Sequence, residues 1–218
     1  MQAQATSQLE VTNPLYIELV GPAGAGKTTL SRVLIERNEG ISVGPELELR
    51  RGKHIPLFVN NAPFIWPVIR RGNGQSRRFT WDELKSMVYL KAWPQLLLQQ
   101  AKPDATIILL DHGPLFKLAT LDAFGPEKLQ SQAAETWWQD TYALWASILD
   151  FVIWLDAPDD VHIERINNRD QRHAVKQKPK QEAYAFLARY REAYIRASAR
   201  MAALDGPTLV RFDTCLLY

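Results

Sequence analysis

The sequence predicts an α/β fold in which a parallel sheet is sandwiched between helices. Three observations predict it. Short apolar runs alternate with segments of helical period along the chain. The runs at 106–110 and 151–155 are continuous rather than alternating, as in strands buried on both faces. A glycine-rich loop joins the first apolar run to the first helical segment. The chain has 218 residues, a net charge of +2 and 46% hydrophobic residues. That length suits a single domain with a real core. That balance excludes a cationic nucleic-acid coat, a charge-swollen disordered chain and a membrane-embedded protein. The opening residues show no cationic start followed by an apolar run, so they do not read as a targeting segment. The lone Cys215 excludes an intramolecular disulfide and a cysteine zinc site, and a reducing cytoplasm is the expected compartment.

The elements follow in order. The first strand spans 15–20, and a helix runs from Lys27 to about Arg37, stopped by Asn38-Glu39-Gly40. A short second strand covers 41–43. Residues 46–79 carry Pro56, Pro63 and Pro67 yet are too apolar for a free linker, so they read as a packed insertion with short helical pieces. Thr80-Trp81-Asp82-Glu83 has capping-box spacing and opens a helix to about Ala101, with a kink expected at Pro94. A strand over 106–110 ends in Asp111-His112-Gly113-Pro114. A helix pair covers 115–149, and a strand over 151–155 ends at Asp156. Pro158 suits the first turn of a helix that carries Arg165 and Arg169, with Asp159 and Asp160 at its positive end. Ala183, Leu187, Tyr190, Tyr194, Ala197 and Met201 mark the buried stripe of a long helix, and 208–212 is a last strand.

The decisive motif is Gly21-Pro22-Ala23-Gly24-Ala25-Gly26-Lys27-Thr28-Thr29, which has the spacing of a phosphate-binding P-loop. Its glycines let the main chain bend around an anion. Amides of Ala23, Gly24, Ala25 and Gly26, with Thr28 and Thr29 opening the helix, face the phosphates along a favourable dipole. Lys27 reaches the β- and γ-phosphates, and the Thr28 hydroxyl binds Mg²⁺. No Asn-Lys-x-Asp guanine reader is present, which disfavours a GTPase.

Beyond this loop the chain resembles the nucleoside and nucleotide kinases, the deoxynucleoside and thymidylate kinases. The resemblance is carried by the P-loop, by Ile107-Ile108-Leu109-Leu110-Asp111-His112, and by Phe151 to Pro158 followed by Arg165, Arg169 and Arg172. It is carried also by Arg189-Tyr190-Arg191 with Arg211-Phe212-Asp213. It implies a three-layer P-loop NTPase fold, with a five-stranded parallel sheet of order 2-3-1-4-5 flanked by helices, plus a lid. It implies one domain over 1–218, with 46–79 as an acceptor-side insertion and 165–180 as the lid. It further implies ATP and Mg²⁺ as cofactors and a small, nucleoside- or nucleotide-like acceptor. A homodimer is within its range; nucleic acid and membrane are not expected partners.

The site residues follow position by position. Lys27, Asp111, Arg165, Arg169 and Arg172 are catalytic candidates, Arg169 foremost among the lid arginines. Glu46, after the second strand, stands where the deoxynucleoside kinases carry a general base for the acceptor hydroxyl. Asp111 holds Mg²⁺ with Thr28 or orients the acceptor; its alternative is a helix cap. Arg165 and Arg169 share a helix face at four-residue spacing, and either can instead pair with Asp159, Asp160 or Glu164. Segments 161–180 and 46–78 carry local charges of +4 and +5. His112 replaces the families' arginine after the acid. Trp66, Arg70, Arg71 and Arg78 are candidates to line the acceptor pocket, while Trp81 and Trp93 read as core. A nucleotide-dependent switch is the competing function.

Overall fold

The structure, a computed structural model, describes residues 14–45, 52, 54–70, 77–100 and 105–217. Five parallel strands, β1 (Leu15–Val20), β2 (Ile41–Val43), β3 (Ile107–Asp111), β4 (Phe151–Asp156) and β5 (Thr208–Asp213), form one sheet of order β2-β3-β1-β4-β5. The order is the one the resemblance implies. Leu19 pairs with Asp111 on one side and with Ile153 on the other, so the strands end together. The chain travels one way across the sheet from β1 to β2 and the other way thereafter. Right-handed crossovers therefore place α1 (Lys27–Arg37) on one face and the later helices on the other.

That second face carries the main core. Val20, Ile108, Leu110, Val152 and Trp154 of the sheet are buried beneath α4 (Trp81–Gln100), α5 (Pro114–Phe124), α6 (Gln132–Ala146) and α8 (Lys180–Ala202). The α8 stripe of Ala183, Leu187, Tyr194, Ala197 and Met201 is buried as its period requires. Two short helices, α2 (Ile55–Asn61) and α3 (Trp66–Arg70), flank a 3₁₀ turn in the proline-rich insertion and send Ile65 and Val68 into the core.

At the start of α4 the capping box forms in full. The Thr80 N–H donates to Glu83 Oε2 at 2.8 Å, and the Glu83 N–H donates to Thr80 Oγ1 at 3.3 Å. Trp93 is buried and its Nε1 donates to the Pro45 carbonyl at 3.0 Å. Trp81 is 60% exposed, which corrects its reading as core. It is the first helical residue and meets only the near edge of the insertion, at the Phe58 ring 5.4 Å away.

α4 runs through Pro94 to Gln100. Proline lacks the N–H that would reach back to the Leu90 carbonyl. Trp145 of α6 supplies the missing donor: its Nε1 lies 2.8 Å from that carbonyl, wholly buried. We predict that Trp145→Phe costs about 1–3 kcal/mol of stability, from a buried carbonyl left unpaired. Adding Pro94→Ala, which restores a main-chain donor, should recover part of it. Denaturant unfolding of both variants measures this; strictly additive costs would contradict the pairing.

Candidate active site

All five strands end at one edge, and the order reverses between β3 and β1. In open parallel sheets ligands bind beside such a switch point. The P-loop leaves β1 at this edge. Gly21 adopts φ +141°, and a Cβ there would stand 2.0 Å from the Leu155 carbonyl oxygen. The loop is thus pressed against β4, and only glycine fits. Gly24 and Gly26 also take left-handed φ values, and Gly26 caps α1. Pro22 and Ala25 are buried, while Thr28 and Thr29 are exposed at the helix start.

Lys27 is buried, and its ammonium donates to the carbonyls of Gly21 at 2.9 Å and Pro22 at 3.1 Å. Burial lowers its pKa to about 8; Asp111 opposes the shift and Arg169 adds to it. Lys27 thus lies in the field of Asp111 and Arg169. Asp111 Oδ1 is buried without a hydrogen-bond partner, 3.6 Å from His112 Nδ1. It is not a helix cap, because α5 begins at Pro114 with Gly113 as its cap residue.

The cap comes from a residue that the sequence reading missed. Glu18, inside β1, is wholly buried and accepts hydrogen bonds from the N–H groups of Leu115 at 2.8 Å and Phe116 at 2.9 Å. A Cβ on Gly113 would come within 2.5 Å of its carboxyl carbon. Burial outweighs the two N–H donors and Lys117, and with Asp111 nearby it raises the carboxyl to about 8. The available signal was one acid within an otherwise apolar strand.

The arginines expected in a lid divide. α7 (Asp159–Asn167) ends before Arg169, so Arg165 and Arg169 do not share a helix face. Asn167 and Asn168 are weak helix formers, and the Asn167 side chain accepts the Gln177 N–H instead. Arg165 turns to the P-loop and the end of the sheet. Its guanidinium donates to the Gly24 carbonyl at 3.2 Å and to Thr214 Oγ1 at 3.1 Å. Arg169 follows the helix and is exposed, and Lys176 donates to its carbonyl. Arg172 is exposed on the same loop. Val175 folds back onto Ile166 and Ala183, with Ala23 of the P-loop against this small cluster. Trp66, Arg70 and Arg78 are exposed. Glu46 and Arg71 lie outside the described residues.

A second missed network supports the loop from β4. Hydrogen bonds from His162, Arg191 and Arg211 outweigh burial and hold the Asp156 carboxyl well below the usual range. Thr214 donates to the Asp156 carbonyl at 3.1 Å and accepts from Arg165, which completes a relay to Gly24. A run of ring contacts links His112 to His173. His112 meets Phe116 edge-on at 4.5 Å, Phe116 stacks toward Tyr190 at 6.3 Å, and Tyr190 meets Phe186 at 5.3 Å. His173 closes it against Phe186 at 5.8 Å. Burial lowers the His173 pKa, with Arg169 and Lys27 adding to the effect.

Among solved structures the chain is similar to thymidylate kinase from Candida albicans, with 15% identity over 92% of this chain and 84% of that one, and a TM-score of 0.53. The chain has the fold of a P-loop kinase. It also matches deoxyadenosine kinase from M. mycoides with bound dATP, with 20% identity over 91% of each chain and a TM-score of 0.48. No protein-family model matches this chain, and no curated protein does. Among the described residues of this kinase fold, no helix is long and apolar enough to cross a membrane.

Glu18 gives the fold a pH signature. Between the ordinary carboxylate value of 4.5 and about 8, the folded state keeps a proton that the unfolded chain has lost. Stability should therefore fall as pH rises through that window, by at most about 1.4 kcal/mol per unit from this group. Glu18→Gln should flatten the slope. Denaturant unfolding from pH 5 to 8 tests this, and identical slopes for both proteins would contradict it.

Proposed function

We propose that the protein transfers a phosphoryl group from ATP, with Mg²⁺, to a small nucleoside- or nucleotide-like acceptor. The observation that carries this reading is the Lys27 ammonium, fixed to the loop's own carbonyls in the field of Asp111 and Arg169. A cation held this way is prepared for a polyanion, and it need not reorganise when charge moves along the phosphates.

The residues fit both groups. The loop is a cradle that side chains would fill at Gly21, and Asp111 offers an unpartnered oxygen to a hydrated cation. Thr28 and Asp111 would hold the metal, which supplies charge neutralisation at the phosphates. Lys27 holds phosphate oxygens, and Arg169 adds positive charge from the lid side. Arg165 acts by holding the Gly24 carbonyl rather than by touching phosphate. The ring contacts from His112 to His173 suit a flat acceptor ring.

With ATP, Mg²⁺ and a panel of nucleosides and nucleotides, ADP release should depend on acceptor. Lys27→Ala should lower turnover at least about 100-fold, the scale of a lost phosphate-stabilising cation. ATP binding with no stimulation by any acceptor would overturn the kinase reading and favour a nucleotide-dependent switch.

A second expectation comes from protonation. Lys27 is a base whose pKa is depressed to about 8, so its charge is present below that pH and lost above it. A bound polyanion restores the proton. Triphosphate affinity should fall above pH 8 by up to about tenfold per unit, with proton uptake on binding. Calorimetry in two buffers of different ionisation heat reads that proton directly; pH-independent affinity to pH 9 would rule this coupling out.

A further inference from the structure

Five large apolar side chains of the insertion and the start of α4 are more than half exposed: Ile55 51%, Val59 59%, Phe64 52%, Trp66 58% and Trp81 60%. Both exposed tryptophans among the described residues are here. The exposure does not come from a detached segment. Ile65 and Val68 anchor it in the core, the Phe58 ring meets Trp81, and Lys91 Nζ lies 4.8 Å over the Phe64 ring. Ile55 and Val59 stand one turn apart on α2 and so share a side.

The charge of this stretch is equally one-sided. Residues 49–81 contain seven Lys or Arg and no Asp or Glu. Of these cations, Arg70, Arg77 and Arg78 are exposed in the described structure, Arg77 being paired with Glu83, and Asp82 and Glu83 directly follow the stretch. Water is a poor partner for so much apolar surface. A second copy of the chain would bring two such cationic stretches together and be repelled. Nucleic acid would accept the cations and the rings, but the aliphatic Ile55 and Val59 would find nothing to enter. A lipid surface satisfies every component. Tryptophans settle at the headgroup level, aliphatic side chains enter the acyl boundary, and cations meet anionic headgroups.

We propose that this lobe docks the protein peripherally on an anionic bilayer surface, with Ile55, Val59, Phe64, Trp66 and Trp81 entering the interface. The proposal does not depend on the kinase reading.

The test is cosedimentation of the full chain with vesicles of phosphatidylcholine alone, and of phosphatidylcholine with phosphatidylglycerol at three to one. The expected result is binding to the mixed vesicles, weak binding to the neutral ones, and release at high salt. The double variant Ile55→Ser/Val59→Ser should bind at least about tenfold more weakly with an unchanged far-ultraviolet spectrum. Trp81→Ser should weaken binding independently. No binding by the wild-type chain, or equal binding to both vesicles, would overturn the proposal. So would variants that bind as well as wild type. A dimer in sedimentation velocity that the same substitutions dissolve, or retention on single-stranded RNA, would assign the surface elsewhere.

Discussion

The site depends on a lysine ammonium taken out of water and held by main-chain carbonyls. An ammonium buried without partners is costly, so the loop must bring its oxygens to Lys27 at fixed distances. The loop is held to its path from two sides. Behind it, β4 leaves no room for a side chain at Gly21, and the relay from Asp156 through Thr214 and Arg165 takes hold of Gly24. In front, the cluster of Ile166, Val175 and Ala183 packs against Ala23. The charge, the backbone path and the packing are therefore one constraint.

Much of the fold was legible in the sequence because strands buried on both faces leave continuous apolar runs. β1, α1 and β2 have the boundaries read from composition and turn residues alone, and the Thr80–Glu83 cap forms as its spacing requires. The strand order came from the resemblance, since periodicity does not say which strands are neighbours. Trp81 was misread because a large aromatic residue at a helix start looks the same in sequence whether it faces core or solvent.

The site was legible where a motif is local, as in the P-loop, and illegible where partners are distant in sequence. Glu18 bonds the main chain of Leu115 and Phe116 across two strands. Arg165 reaches Gly24 from the far half of the chain. Arg165 and Arg169 look equivalent at four-residue spacing. The consecutive asparagines end the helix between them and give them different surroundings: one secures the loop's backbone, the other lies in the field of Lys27.

Glu18 has one further consequence. It belongs to the strand that feeds the phosphate loop, and it grips the start of the helix that follows Asp111 and His112. It acts as an internal spacer, so the distance between the strand that precedes the P-loop and the helix that follows Asp111 is held by a rigid strut.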